Sequence, residues 1–323
     1  MRIRMFIAQI ALAFTLPSLV ALADPAKIGV LGPAPPPALA ALRDGIAAQL
    51  VERGLVRDRD FTFETRSADG KPERLPGLAK ELVDAHVAVI ATSSYPAVRA
   101  ARETTSTIRI VSINAGEPVE TGLAASLAHP GGNVTGLSDM SSELSAKRLE
   151  LLHLVVPGMK RVAMLWNADD LGMSGRYKAA SAAAMTMGIG VQALGVREPD
   201  DFNSAFEAMT RETPAGILMV TDILTLLNRK RVFDFAAAHR LPAIYEFDNL
   251  ARDGGLMSYG ADSKEVFSRV GDLVARILKG AKPADLPFEQ PTLFRFVINQ
   301  KTADTIGLTL PRELLLRADE VIE

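Results

Sequence analysis

The sequence predicts an α/β protein with two similar lobes, each built on a doubly wound parallel sheet, joined by a three-crossover hinge. Strand-like and helix-like segments alternate along the chain, and four strands in residues 27–113 recur in the same order in residues 161–247. Such alternation is typical of parallel sheets covered by helices on both faces. Between the two sets, residues 113–139 are rich in glycine and proline, which mark changes of chain direction. We therefore expect this stretch to be the first connection between the lobes.

The elements of the first half follow from hydrophobic periodicity. Leu39, Leu42, Ile46 and Leu50 recur at helical spacing, and residues 87–91 form an unbroken apolar run typical of a strand buried on both faces. The predicted strands are 27–31, 61–65, 87–91 and 108–113, and the predicted helices are 39–50, a second beginning near Pro72, and a third capped within 92–94.

The second half repeats the pattern after a helix at 142–156. The predicted strands are 161–166, 191–196, 217–220 and 242–247, and the predicted helices are 174–187, one containing Phe202, Phe206 and Met209, and 224–239. The remainder of the sequence predicts a strand at 254–260, a helix capped by Ser263 and ended by Gly280, a linker at 283–291, a strand at 294–298 and short helices at 302–306 and 312–322.

The glycine- and proline-rich points divide the chain into lobes. We expect the crossings near Gly136, Ser258 and Pro291. The predicted division is 1–23 as signal peptide, 24–137 plus 258–290 as the first lobe, and 138–257 plus 291–323 as the second lobe.

The N-terminus has the pattern of a secretory signal peptide. Arg2 and Arg4 precede an apolar run over residues 5–20, and residues 21–23 have the sequence Ala-Leu-Ala, which suits signal peptidase. The run is shorter than the roughly 20 apolar residues that span a membrane. Cleavage after Ala23 is therefore favoured over the alternative, an uncleaved anchor.

Composition narrows the partners and the compartment. The chain has 36 Lys and Arg against 38 Asp and Glu and no basic block, so nucleic acid is not an expected partner. It has no cysteine, which excludes disulfides, thiolate metal sites and a lipid-attachment cysteine. An exported chain without a lipid tether is expected in the periplasm.

Several stretches resemble one family over almost the whole of residues 26–323. They include GEPVETGLAASLAHPGGNVTGLS (116–138), ELSAKRLELL (143–152), GGLMSYG (254–260) and INQKTADTIGLTLP (298–311). The chain resembles the periplasmic substrate-binding proteins of ABC transporters, in the group that includes tryptophan and tyrosine binders. The resemblance implies a type I periplasmic-binding fold, closure of two lobes on a small molecule, and an ABC permease in the inner membrane as partner. The family usually has Asp where this chain has Glu117.

The binding candidates lie just beyond strand ends, where ligands of parallel sheets bind. Ser93 and Ser94 begin a helix and could hold a carboxylate through hydroxyl and N–H groups, or Ser93 or Ser94 could simply cap that helix. Tyr95 could stack on an apolar ligand or pack on the surface. In the second lobe, Asp222 stands at the equivalent point and could pair with an amino group or act as an N-cap. The other candidates are Asn114, Glu117, Asp139, Tyr245 and Glu246.

Catalytic and metal motifs are absent from the sequence. None of the four histidines has metal-ligand spacing to another, and the adjacent Asp169 and Asp170 are expected to be solvated. We therefore predict no catalytic residue, no metal and no cofactor. The expected function is that of a monomeric solute-binding component of an ABC importer, with an amino acid as ligand. The alternative is a periplasmic sensing subunit that presents its liganded form to a receptor.

Overall fold

The computed structural model describes residues 24–323, so the expected signal peptide lies outside the described residues. The first sheet has five parallel strands in the order β2-β1-β3-β4-β5, which is the order of a doubly wound sheet. These strands are β1 (Ala26–Gly32), β2 (Phe61–Ser67), β3 (Val89–Ser93), β4 (Arg109–Ile113) and β5 (Val134–Gly136). The helices of this part are α1 (Pro36–Glu52), α2 (Leu75–Asp84) and α3 (Tyr95–Thr104).

The second sheet has seven strands in the order β12-β11-β10-β9-β8-β6-β7. The strands are β6 (Arg161–Asn167), β7 (Gly190–Val196), β8 (Ile217–Met219), β9 (Ala243–Tyr245), β10 (Met257–Ala261), β11 (Phe294–Asn299) and β12 (Glu320–Ile322). The helices are α4 (Ser141–Val155), α5 (Leu171–Thr186), α6 (Asp201–Arg211), α7 (Ile223–Leu227), α8 (Arg229–Ala238), α9 (Asp248–Arg252), α10 (Ser263–Leu278), α11 (Gln300–Thr305) and α12 (Arg312–Arg317). The order β7-β6-β8-β9 repeats β2-β1-β3-β4, which confirms the predicted pair of doubly wound α/β lobes.

Each sheet has its own hydrophobic core on both faces. The first sheet packs one face against α1 and α10 and the other against α2 and α3. The predicted stripe of α1 is fully buried, and Pro36 at the start of this helix has the fixed φ that suits its first turn. The second sheet has equivalent cores on its two faces. Within residues 24–323, no helix combines the length and the apolar character needed to span a membrane.

The 254–260 segment departs from the expected lobe boundary. Strand β10 pairs with β9 in parallel and with β11 in antiparallel orientation, so all of it belongs to the second sheet. The expected boundary at Ser258 would cut this strand, and the chain crosses after Ala261 instead. Helix α10 then packs on α1. The contact is so close that a Cβ added to Gly45 would lie 2.5 Å from the Cβ of Phe267.

Three smaller differences have local causes. The helix expected at 224–239 is broken into α7 and α8 at Asn228. The helix expected at 312–322 ends at Arg317, because residues 320–322 pair with β11 as β12. Helix α10 is capped by Asp262 rather than Ser263, since the Asp262 carboxylate accepts a hydrogen bond from the Glu265 N–H at 2.9 Å.

The three crossings run side by side. Leu137 forms a parallel bridge with Glu289, and the Ser138 N–H donates to the Glu289 carbonyl at 2.9 Å. The Asp262 N–H donates to the Leu293 carbonyl, also at 2.9 Å. The connections between the lobes are therefore hydrogen-bonded to one another at the base of the cleft.

Candidate functional site

The carboxyl ends of the two sheets enclose a cavity of about 150 Å³. Ser93, Ser94 and Asn114 line it from the first lobe, beyond β3 and β4, and Thr221 and Asp222 line it from the second, beyond β8. Most of the remaining wall is apolar and comes from both lobes, with Leu39, Leu42, Phe267, Met173 and Leu226 among the contributors. The structure thus brings together four of the nine candidate residues in one interlobe cavity, with an apolar chamber beside them.

Ser94 is the N-cap of α3. Its Oγ accepts a hydrogen bond from the Ala97 N–H at 3.4 Å, and its own N–H donates to the Ile113 carbonyl at 2.9 Å. Because Pro96 has no N–H, the start of α3 offers few free backbone donors. An anion at this point would rely on the Ser93 and Ser94 hydroxyl groups more than the sequence alone suggested.

Asp222 is also a helix cap, and its carboxylate is well held. One oxygen accepts from the Thr225 N–H at 3.0 Å, and Thr225 Oγ1 in turn accepts from the Asp222 N–H at 2.9 Å, forming a capping box. The other oxygen accepts from Asn167 Nδ2 at 2.6 Å. Capping and exposure to the cavity therefore coexist at Asp222. Neighbouring Thr221 is buried, and its Oγ1 has no hydrogen-bond partner in residues 24–323.

Two aromatic candidates lie outside the cavity wall. Tyr95 is half-buried and packs on the core beside the first sheet. Tyr245 is fully buried in the second lobe, with its ring edge-on to Phe233 at a centroid distance of 5.2 Å. Burial raises the pKa of the Tyr245 hydroxyl. Tyr245 lies outside the cavity wall because successive side chains of a strand point to opposite faces of the sheet, so Tyr245 and Glu246 lie on opposite sides.

Four buried charges form a network at the base of the cleft. Arg176 Nη1 donates to Glu246 Oε2 at 2.5 Å, and its Nε donates to Asp139 Oδ2 at 3.0 Å. Arg148 Nη1 donates to Glu246 Oε1 at 3.1 Å. The Gly116 N–H, from the first connection between lobes, donates to Asp139 Oδ2 at 2.6 Å. The carboxylates of Asp139 and Glu246 are thus neutralised by arginines instead of facing a ligand ammonium group.

Burial and the neighbouring charges have opposing effects on the pKa values of this network. Burial raises the pKa of Asp139 and lowers that of Arg148, although the opposite charges nearby counter both shifts. For Arg176 burial also acts to lower the pKa, but the combined effect of Asp139 and Glu246 is greater and the net pKa is raised. Arg176 therefore holds its proton firmly between two carboxylates.

The sequence analysis did not identify these two arginines as candidate site residues. Arg148 follows the buried Leu144 by four residues, and Arg176 follows the buried Met173 by three. A charged residue at a buried-stripe position of a helix was the signal that could have found both.

Glu117 connects the first crossing to α4. Its Oε1 accepts from the Ser141 N–H and its Oε2 from the Ser138 hydroxyl, both at 2.6 Å. It lies outside the walls of the interlobe cavity. The carboxylate caps the start of α4 and fixes the turn between Ser138 and Ser141.

The adjacent acids differ sharply in exposure. Asp169 is exposed as expected, but Asp170 is only 3% exposed, because it caps α5 through the N–H groups of Gly172 at 2.8 Å and Met173 at 3.3 Å. Burial, with a contribution from Asp222, raises the pKa of Asp170 to about 6. Across residues 24–323, no group of three or more His, Cys, Asp or Glu side chains is arranged to hold a metal.

The two lobes touch each other at two places outside the cavity wall. A Cβ at Gly116 would lie 2.8 Å from the Gly172 Cα at the start of α5. A Cβ at Gly70 would lie 2.9 Å from Leu227 Cδ1. Both contacts join a residue of the first lobe to a residue of the second lobe. The cleft between the lobes is therefore narrow in this structure.

Two doubly wound lobes whose strand ends enclose one cavity have the architecture of the type I periplasmic-binding fold. The chain belongs to the ABC transporter substrate binding protein family, whose model matches residues 27–322. The family is one of solute-binding proteins.

Known relatives agree with this assignment. The chain is 24% identical over 272 residues to a tyrosine-binding protein of Clostridioides difficile (strain R20291), covering 84% of this chain and 78% of the relative. It is similar to the ABC domain in complex with L-Trp from Streptococcus pneumonia, at 25% identity and a TM-score of 0.83, over 92% of this chain and 100% of that one. A conserved domain protein from Vibrio cholerae O1 biovar El Tor has 26% identity and a TM-score of 0.86, with the same coverage.

Proposed function

We propose that this chain is the periplasmic solute-binding component of an ABC importer and that it binds an amino acid with an apolar or aromatic side chain between its lobes. The carrying observation is the interlobe cavity, which has an apolar chamber beside polar groups from both lobes. Such a site suits an amphipathic solute, because an apolar wall supplies affinity and a few polar groups fix orientation.

The interlobe cavity has room for an aromatic ring. Its volume as a whole is about 150 Å³, and a protein cavity of about that size lined by leucine, isoleucine and phenylalanine binds benzene. Leu39, Leu42, Met173, Leu226 and Phe267 supply a comparable lining here.

The polar groups suit the two ends of an amino acid. Ser93 and Ser94 offer hydroxyl donors to a carboxylate from the first lobe. Asp222 offers a carboxylate to the ammonium group from the second lobe, where a charge-assisted hydrogen bond is strong. A solute held at both ends stabilises the closed form through contacts that the open form lacks.

The relatives support this class of ligand. One is called a tyrosine-binding protein, and another was solved in complex with L-Trp. The family supports an ABC permease as the partner. We infer that the first lobe comprises residues 24–137 and 262–290 and that the protein captures and releases its solute unchanged.

Thermal unfolding with a panel of solutes tests the proposal. L-tryptophan, L-tyrosine and L-phenylalanine at millimolar concentration should raise Tm, because a ligand that binds only the folded state stabilises it by mass action. D-tryptophan is the matched control, since it has the same ring with the polar groups inverted. Calorimetry would then give the Kd of each hit. If no amino acid raises Tm and another solute class does, the proposed ligand is wrong.

A further inference from the structure

The cleft has a second, polar compartment at its hinge end. It has a volume of about 40 Å³ and is lined by Ser141, Arg148 and Arg176, among others. Ile113, Asn114 and Phe247 line both this compartment and the larger interlobe cavity, so the two adjoin. Ser93, Ser94 and Asp222, which are proposed above to bind the carboxylate and ammonium groups of the solute, line only the larger cavity.

Arg148 brings an unused pair of N–H groups to this compartment. The residue is 5% exposed, its Nε donates to the Tyr259 carbonyl at 2.7 Å, and its Nη1 donates to Glu246. Its Nη2 donates no hydrogen bond to any of residues 24–323. Gly260 also lines the compartment.

Ser141 is the second unpartnered group. It is 3% exposed, and its N–H is taken by Glu117, but its Oγ has no hydrogen-bond partner in the described part of the chain. Leaving a buried donor unpaired costs about 1–3 kcal/mol, and more for a charged group. Two such groups in one compartment point to an oxygen atom that arrives with the ligand.

The charge of the network selects the kind of oxygen. Arg148 and Arg176 balance Asp139 and Glu246, so the compartment is close to neutral overall. Burying one more negative charge there would carry a desolvation cost without a free counter-ion. A neutral hydroxyl can accept from Arg148 Nη2 and pair with Ser141 Oγ at no such cost.

We propose that this compartment binds a hydroxyl group at the far end of the solute's side chain, so that the cleft prefers L-tyrosine to L-phenylalanine. The inference rests on the proposed function, because the amino acid groups must be held at Ser93, Ser94 and Asp222 for the ring to point toward the hinge. Ser141 and Arg148 are then the residues that determine specificity.

Calorimetric titration with L-tyrosine and L-phenylalanine tests this, in the parent protein and in three variants. The parent should bind L-tyrosine roughly tenfold to a hundredfold more tightly, the effect of one hydrogen bond to a charged donor. Ser141→Ala and Arg148→Lys should each reduce this ratio, and Arg148→Lys keeps the positive charge beside Glu246. Ser142→Ala is the matched control, because Ser142 is an exposed residue of the same helical turn and should leave the ratio unchanged.

The ratio of the two Kd values separates this inference from the proposed function. L-phenylalanine binding as tightly as L-tyrosine would show that the compartment holds only water, which overturns the inference and leaves the amino acid site in place. An unchanged ratio in both Ser141→Ala and Arg148→Lys would also overturn it. Tighter binding of 4-carboxy-L-phenylalanine than of L-tyrosine would contradict the choice of a neutral group. Failure of every amino acid to bind would remove the proposed function and this inference together.

Discussion

Asp170 is a buried carboxylate whose charge costs the folded protein stability. Burial raises its pKa from 3.8 to about 6, so the folded state binds a proton more tightly there than the unfolded chain does. The stability that protonated Asp170 contributes is fully present below pH ~4 and is lost as the pH rises through about 6. A shift of about two pKa units corresponds to about 2–3 kcal/mol.

This predicts a difference between the parent and Asp170→Asn. Asparagine also caps helices, so α5 should still begin at the same residue, but the variant has no carboxyl group at position 170 that can titrate. The free energy of unfolding of the parent, relative to that of Asp170→Asn, should fall by about 2–3 kcal/mol between pH 4 and pH 7. Urea denaturation at several pH values measures it. Asp169→Asn removes the exposed carboxylate next to it as a control, and parallel curves for Asp170→Asn and the parent would contradict the prediction.

Asp222 allows ligand recognition and helix capping to be measured apart. Asp222→Asn should weaken the binding of an amino acid by about 1.5–3 kcal/mol, the effect of a lost charge-assisted hydrogen bond. Since asparagine is as good a cap, the ligand-free stability should change by less than about 1 kcal/mol. Calorimetry with L-tryptophan against indole-3-propionate, which lacks the amine, isolates the ammonium contact. An equal loss for both ligands would reassign Asp222 to capping alone.

The sequence predicted Ser94 and Asp222 at strand ends because their position depends only on the order of neighbouring elements along the chain. The Ser94 and Asp222 caps follow from a strand, a polar residue and a helix in succession. The pairing of Arg148 with Glu246 joins residues 98 positions apart, and no local pattern specifies it. The side of the sheet on which Tyr245 lies could not be predicted either. Strand β9 has only three residues, and all of them are buried, so its sequence has no alternation of polar and apolar residues that would indicate which side faces the hinge.

The start of α5 lies against the first crossing with no room for a side chain. A Cβ on Gly172 would be 3.1 Å from the Ala115 carbonyl group, and a Cβ on Gly116 would meet the backbone of Gly172 at 2.8 Å. Gly116 also has a φ of +80°, a conformation that residues other than glycine rarely adopt. This contact joins the lobes, so its tightness affects the closed form more than either lobe alone.

Gly172→Ala should therefore weaken binding without unfolding the protein. Overpacking costs about 1–3 kcal/mol, and here it falls on the closed form, so Kd for the best amino acid should rise roughly fivefold to a hundredfold. Gly175→Ala, one turn along the same helix, is the control, since its Cβ would meet only Glu120 Oε2 at an ordinary 3.7 Å. Equal affinities for the two variants would show that the Gly172 contact does not limit closure.

The sequence located most elements well and misplaced those set by distant partners. The stripe of α1 and the apolar run of β3 specify their elements by themselves. The membership of β10 in the second sheet depends on pairing with β9 and β11, and β12 exists because Val297 pairs with Glu320 across the sheet. Strand partners far apart in sequence leave no local trace, so the lobe boundary at Ser258 and the helix at 312–322 were misplaced.

We expect each lobe to be stiff and the three connections between the lobes to be the flexible points. The two sheets have separate cores, and close-packed interiors resist deformation. The crossings meet in the hydrogen bonds of Ser138 to Glu289 and Asp262 to Leu293, close to the buried arginines. We expect bending to be confined to these crossings, with each lobe moving as a unit.

The last prediction concerns closure of the whole molecule. The lobes touch at Gly116–Gly172 and Gly70–Leu227. We therefore expect the structure to correspond to the closed arrangement, and its calculated scattering curve should fit the ligand-bound protein better than the free one. The radius of gyration should fall when a saturating amino acid is added, because only the closed form contacts the solute from both lobes. Hydrogen exchange should slow around residues 116 and 172, while the rates within the strands stay nearly unchanged. Indole, which lacks both polar ends, should bind the apolar chamber without reducing the radius as far. A tightly bound amino acid that leaves the radius unchanged would mean that the free protein is already closed, and the crossings would then not act as a hinge.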